Sequence, residues 1–330
     1  MAAINKGDTV LVTGSTGYVG GHVASDILAH GAKIKLVVRN EEKAARVYEA
    51  LKKVHGASAA DSIETVLIKD FSAPNAFDEA CKGVQGVAHV ASDVTFSDDP
   101  KQVIDPIVKI YKSLLESMAK TSSIRRFVFT SSSVAIGFPN VNGKETRLFD
   151  SNGWNDEALE LIKDKPTGFS VYGASKVLSE RTVWDFVKEK KPQFVATSVN
   201  PNLNVGPFLP GVEPSSTGGG ILKSAKGDQS FLEGLGPQFA IDVRDVAELH
   251  SIALFNEKVG NERLLAFADR YTINSMLETI KAVDPNAPVS TKPEWGNEDN
   301  SKADTKRSEE LLGRPFRTLE ESIRDLLSSV

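Results

Sequence analysis

Apolar residues in the first 135 positions fall into alternating blocks. DTVLVTG (8–14) is a short Val-rich run that closes on glycine, and YVGGHVASDILAHG (18–31) carries helical spacing and stops at Gly31. A glycine just past the last periodic residue is a helix C-terminal signal. KIKLVVRN (33–40), IETVLIKD (63–70), VQGVAHVAS (84–92) and RRFVFTSS (125–132) read as further strands. EEKAARVYEALKKVHG (41–56), a short piece within 73–83 and DPIVKIYKSLLESMAK (105–120) read as the helices between them. A long helix is expected near 170–190 and a sixth strand at QFVATSVNP (193–201).

The strands are continuous apolar runs rather than alternating ones, as they must be when helices cover both faces of a sheet. Strand and helix in alternation at this spacing predict an α/β fold, a Rossmann-type doubly wound parallel sheet. Beyond Asn200 the pattern loosens. PNLNVGPFLPGVEPSSTGGG (201–220) reads as loop, with Gly218, Gly219 and Gly220 as a flexible stretch, and helices resume near 240–255, 272–282, 304–312 and 318–328. The expected organisation is a nucleotide-binding domain over 1–200, with returns near 239–268. A smaller substrate lobe is expected from 201–238 and 269–330.

Composition narrows the classes. The chain has 330 residues, 40% hydrophobic and 25% charged, which suits a globular protein with a sizeable core. The net charge is −5 with the signs interspersed, so no basic stripe suggests nucleic acid. The sole cysteine, Cys81, excludes an internal disulfide and reads as a small buried side chain. MAAINKGDTV holds no apolar run of signal-peptide length, and no stretch approaches the roughly 20 apolar residues of a membrane span. A cytoplasmic protein without membrane partners, monomeric or homodimeric, is the expectation. His89 reads as a packed strand histidine and His22 and His250 as helix residues. No His/Cys/Asp cluster has ligand spacing, so no metal is expected.

Three segments carry chemistry. Gly14, Gly17 and Gly20 lie between the first strand and the first helix. A tight turn without Cβ atoms lets a pyrophosphate approach, and the helix N-terminus offers it free N–H groups and a positive dipole end. A plain strand–helix turn is the competing reading, and the flanking elements weigh against it. In YGASK, Tyr172 and Lys176 stand at i and i+4, on one helix face. A free tyrosine titrates near pH ~10, and about 4 kcal/mol would bring it to neutrality. One positive charge ~4 Å away supplies roughly that at an effective dielectric of ~20. Lys176 is therefore expected to lower the phenol pKa, and Tyr172 to act as general acid or base. Tyr-x-x-x-Lys also occurs as an ordinary surface pair. The serines of FVFTSSSVAIG (127–137) follow the fifth strand at its C-terminal end, where doubly wound folds place ligands. An ordinary loop is the alternative there.

Together these segments and the later NPNLNVGP resemble the extended short-chain dehydrogenase/reductase family along essentially the whole chain. GVAHVAS (86–92), FAIDVRDVAELH (239–250) and LGRPFRTLEESIRDLL (312–327) resemble its dihydroflavonol 4-reductase-like branch, especially fungal NADPH-dependent aldehyde and carbonyl reductases. The resemblance implies Ser132, Tyr172 and Lys176 as the catalytic trio, with Ser131 and Ser133 as the alternatives in register. It implies NADP(H) held at Gly14, Thr16, Gly17, Tyr18 and Val19, with Asp70 and Phe71 near the adenine. Ala91 and Ser92 would lie at the ribose, with Tyr172 and Lys176 also contacting cofactor, and Pro201, Asn202, Leu203 and Asn204 beside the nicotinamide. The substrate, a small-molecule carbonyl compound, would meet Val94, Phe96, Ser132 and Tyr172.

Arg39 ends the second strand where an acidic residue would bind the ribose 2′-hydroxyl of NAD. A guanidinium suits a 2′-phosphate, and Lys43 adds charge one turn on. Glu41 and Glu42 place negative charge nearby, and a solvated strand-end arginine is the plain reading. The expected activity is reduction of a ketone or aldehyde by NADPH. A nucleotide-sugar epimerase or dehydratase of the same superfamily is the rival, and a non-catalytic NADP-binding regulator the second.

Overall fold

A computed structural model describes residues 2–92 and 95–330. Along the first half run β1 (Thr9–Thr13), α1 (Tyr18–Ala29), β2 (Lys33–Val38), α2 (Glu41–His55), β3 (Ile63–Leu67), α3 (Asp78–Cys81), β4 (Gly86–His89), α4 (Pro100–Ala119) and β5 (Arg126–Thr130). There follow β6 (Arg147–Phe149), α5 (Asp156–Asp164), α6 (Gly168–Lys190), β7 (Val195–Pro201) and β8 (Leu203–Val205). Next come α7 (Ser216–Ala225), α8 (Ser230–Leu235), β9 (Gln238–Asp242), α9 (Val243–Phe255) and β10 (Glu262–Ala266). The chain ends with β11 (Arg270–Tyr271), α10 (Ile273–Val283), β12 (Ser301–Ala303), α11 (Lys306–Leu312) and α12 (Leu319–Ser328).

Among the described residues seven parallel strands form the main sheet in the order β3-β2-β1-β4-β5-β7-β10. Strand order reverses between β1 and β4, and ligands of open α/β sheets bind outside the carboxyl ends at such a point. Val10, Val12, Leu36 and Val128 pack against α1 and α9 on one face, and Leu11, Val87, Phe127 and Phe129 pack against α4 and α6 on the other. Both sides of each central strand are thus apolar, as the unbroken Val/Leu/Phe runs require.

The helices start where the sequence offers caps. Asn40 accepts from the Lys43 N–H at 2.9 Å to open α2, Asp99 does the same for α4, and Thr167 and Ser170 form a capping box on α6. Helix α4 begins at Pro100 rather than near 105, because Asp99 caps it and Pro100 suits the first turn.

Gly218–Gly220 are not a flexible loop. They lie buried in α7: the side chains of Tyr18 and Phe208 occupy the space for a Cβ at Gly218, Phe231 does so at Gly220, and the Pro214 backbone closes on Gly219. Within 239–268, β10 joins the main sheet and α9 packs under it, whereas β9 pairs with β8 and β11 in a separate small sheet. A third apolar cluster gathers α7, α10 and α12 around Tyr18, Leu203 and Val205. No helix of the described residues is long and apolar enough to cross a membrane.

Candidate active site

The glycine loop sits at the β1/β4 crevice. Gly14 adopts φ +74°, and a Cβ there would lie 2.5 Å from the Ala91 backbone nitrogen. A Cβ on Gly20 would lie 2.1 Å from the Gly14 carbonyl oxygen. Both positions therefore require glycine, one for the turn and the other for close helix–strand packing. Thr16 is half-buried and Gly17 exposed. Tyr18 turns its ring away into the third cluster and donates to the Gly206 carbonyl at 2.6 Å, leaving only its backbone at the loop. Val19 packs between two of the clusters.

His89 closes the floor of the crevice. It is fully buried, edge-on to Tyr111, with Nδ1 2.8 Å from the Thr13 hydroxyl, which in turn accepts from the Ala91 N–H at 3.3 Å. Burial and the nearby Lys176 charge pull its pKa down to about 3, so it is neutral as a core residue should be. Among the described residues no cluster of His, Cys, Asp and Glu could hold a metal ion.

Along the crevice, Arg39 is exposed with its guanidinium 5.7 Å from the centroid of the Phe71 ring. Neither Arg39 nor Lys43 meets a carboxylate within ion-pair distance among the described residues. Glu42 pairs with Arg46 at 2.7 Å, an arginine it shares with Glu213. Asp70 is exposed, and its carboxylate accepts from both the backbone and the hydroxyl of Ser72, which holds its pKa below the usual range. Ala91 and Ser92 are half-buried at the end of β4. Val94 lies outside the described residues.

Across the crevice, α6 presents Tyr172 and Lys176. The half-buried phenol has the Ser132 hydroxyl as its pKa-lowering neighbour, and that hydroxyl oxygen accepts from the Val134 N–H at 3.4 Å. Ser131 instead donates to Glu180, so of these two neighbours Ser132 is the one that reaches Tyr172. The Lys176 ammonium is buried, donates to the Thr130 carbonyl at 3.3 Å and lies 5.7 Å from the Tyr172 ring centroid. Burial drags its pKa down to about 8, with Glu180 pulling the other way.

One expectation is corrected here. The Tyr172 pKa is raised by burial, and the neighbouring Ser132 hydroxyl is what opposes the rise. Lys176 does not depress it in this state, because its ammonium is turned to a carbonyl and is itself desolvated.

Phe96 covers this corner. It is 45% exposed, has φ 53°, and its ring centroid is 5.0 Å from that of Tyr172. At the end of β7, Pro201 and Leu203 are buried, and Asn202 accepts from the Leu203 N–H at 2.8 Å. The Asn204 amide donates to the Asn202 carbonyl at 3.1 Å while its Oδ1 is buried without a partner. The Ser15 hydroxyl in the glycine loop is likewise buried without a partner. Buried polar atoms are ordinarily satisfied, so two orphans beside the crevice fit a polar ligand that completes them. A cavity of about 660 Å³ lined by Trp154, Trp184 and Arg307 lies elsewhere and includes none of these residues.

Sequence reasoning missed Glu180, Asn200 and Arg263, which surround Ser131. Glu180 stands four residues after Lys176 on the same buried face, and a carboxylate in that register was the available signal.

The profile of the NAD dependent epimerase/dehydratase family matches residues 10–265. The chain belongs to this family. Among relatives, the NAD-dependent epimerase/dehydratase terH of Aspergillus terreus (strain NIH 2624 / FGSC A1156) is 39% identical, over 92% of this chain and 88% of its own. Aldehyde reductase 2 of Sporidiobolus salmonicolor is 34% identical, over 99% and 97%. The family's fold is shared with yeast methylglyoxal/isovaleraldehyde reductase Gre2, solved with NADPH. The TM-score is 0.83, at 25% identity over 97% of each chain.

Proposed function

We propose that this protein is an NADPH-dependent carbonyl reductase that converts a ketone or aldehyde to an alcohol. The observation that carries the reading is Tyr172 with the Ser132 hydroxyl as its neighbour and the buried Lys176 ammonium 5.7 Å from its ring, anchored at the end of β5. Relatives named as an aldehyde reductase and a ketoreductase support it.

Ser132 holds and polarises the carbonyl oxygen, and Tyr172 gives that oxygen its proton. A raised pKa suits this direction of reaction. It keeps the phenol protonated at neutral pH, and the alkoxide it meets is far more basic than a phenolate. Tyr172 then regains a proton from solvent. The Lys176 ammonium stabilises charge beside the ring and is placed to bind the ribose hydroxyls. NADPH, when bound, supplies the hydride to the carbonyl carbon. Gly14, Gly17 and the α1 N-terminus would hold its pyrophosphate, Ser15 and Asn204 would offer their unpartnered oxygens, and Arg39 with Lys43 would hold the 2′-phosphate.

Loss of NADPH absorbance with a panel of activated ketones and aldehydes tests the reading. Turnover with NADPH well above that with NADH is expected. No oxidation with any carbonyl compound, together with conversion of a nucleotide sugar, would favour the epimerase rival.

A further inference from the structure

The buried polar groups of the fold converge on one carboxylate that the catalytic trio does not include. Glu180 is fully buried on α6, one turn beyond Lys176. Its Oε2 accepts from the Ser131 hydroxyl and from Asn200 Nδ2 at 3.0 Å. Its Oε1 accepts from Ser198 at 3.1 Å and from the Trp184 indole at 3.1 Å. Arg263 of β10 closes the ring, donating Nε to Oε1 at 2.7 Å and Nη2 to Oε2 at 3.3 Å.

Stability alone is a poor reason for such a cluster. Desolvating two charges costs several kcal/mol, and well-packed apolar replacements of buried pairs are often no less stable. What the cluster does is hold the serine loop. Ser131 is drawn to Glu180 and away from the crevice, and its N–H donates to the Val199 carbonyl at 2.8 Å. Asn200, whose Oδ1 shares the single Ser198 hydroxyl proton with Glu180, donates to the Ser132 carbonyl at 3.3 Å. Arg263 also donates to the carbonyls of Ser151 and Gly153, and Asn155 of the same turn donates to the Val134 carbonyl at 2.8 Å. The backbone on both sides of Ser132 is therefore fixed, and the Ser132 hydroxyl is left facing Tyr172.

We propose that Glu180, held by Arg263, is a positioning residue for carbonyl reduction, fixing Ser131 and Asn200 so that Ser132 meets Tyr172. The inference rests on the reductase reading for its kinetic consequence and on geometry alone for the rest.

Ser131→Ala is the gentler test, because Glu180 keeps its other donors. The expected result is a kcat at least tenfold lower with the NADPH KM within twofold of wild type. Glu180→Gln is expected to lose more, with the same split between kcat and KM. If Glu180→Gln does not fold, Asn200→Ala takes its place with the same expectation. A folded Ser131→Ala enzyme with wild-type kcat overturns the proposal. Crystal structures of wild type and Ser131→Ala supply a readout that needs no substrate. The separation between the Ser132 and Tyr172 hydroxyls should widen in the variant relative to wild type, and an unchanged separation overturns the proposal whatever the wild type reduces. A wild type that oxidises NADPH with no carbonyl compound overturns the reductase reading alone.

Discussion

Lys176 places its ammonium 5.7 Å from the centroid of the Tyr172 ring, on the same face of α6, and anchors it on the Thr130 carbonyl. The lysine thus lies beside the ring, with the Ser132 hydroxyl as the phenol's pKa-lowering neighbour. Replacing Tyr172 by Phe keeps the ring and removes the transferable proton. Tyr172→Phe should lower carbonyl reduction by at least about a hundredfold, the lower range of general acid catalysis. NADPH binding, followed by fluorescence titration, should survive. Turnover near wild type would rule out Tyr172 as the acid.

The same lysine sets a pH limit. Its charge is present below about pH 8 and is lost as pH rises through that value, because burial has lowered its pKa from the ordinary lysine range. Reduction should therefore fall on the alkaline side with a midpoint near pH 8. A rate that stays flat to about pH 10, where a free lysine titrates, would show that the Lys176 charge is not needed.

Acid should unfold the protein through two histidines. Burial lowers the pKa of His89 to about 3 and that of His250 to about 4. Unfolded, both titrate near ~6.5, so the unfolded chain binds more protons throughout that window and stability falls as pH drops through it. At pH ~4 the loss is on the order of 3 kcal/mol for each. His250→Gln, keeping a group for the Thr130 hydroxyl that now bonds Nε2 at 2.8 Å, should shift the acid unfolding midpoint downward. Urea melts at neutral and acid pH measure it, and an unshifted midpoint contradicts the assignment.

The proposed basis of cofactor choice is Arg39, which has no carboxylate partner among the described residues to compete with a phosphate. Charge-assisted hydrogen bonds contribute about 1.5–3 kcal/mol each, or one to two powers of ten in affinity. Arg39→Asp should raise the NADPH KM at least about tenfold and narrow or reverse the preference over NADH. The comparison is kcat/KM for both cofactors in wild type and variant. An unchanged preference would remove Arg39 from the 2′-phosphate site.

The main sheet was legible because strands covered on both faces announce themselves as unbroken apolar runs; the five N-terminal strands and the one ending at Pro201 all fall within the segments read from the chain. Helices that end on glycine or begin on a capping residue were placed within a few positions. The triple glycine of α7 misled, since glycine reads as a breaker when the bulky ring that demands it, Phe231, is not yet in view. Helix α5 and the β6–β12 pair were not anticipated. β12 partners a strand about 150 residues away, and no local period reports that. At the site, the proximity of Tyr172 and Lys176 was legible and their electrostatics were not. The Tyr172–Lys176 spacing gave proximity, but the sign of the phenol shift depends on burial, which a helix register does not state. The Glu180–Arg263 pair spans 83 positions and has no sequence signature.

That span also orders the protein's synthesis. By residue 201 the ribosome has delivered six of the seven described strands of the main sheet, together with the glycine loop, Ser132, Tyr172 and Lys176. The counter-charge for Glu180 arrives only with β10. A nascent or truncated chain ending before Arg263 holds every residue proposed for the chemistry and cannot bury the carboxylate that locks them. The last-made strand of the described main sheet therefore brings the arginine that pairs with Glu180.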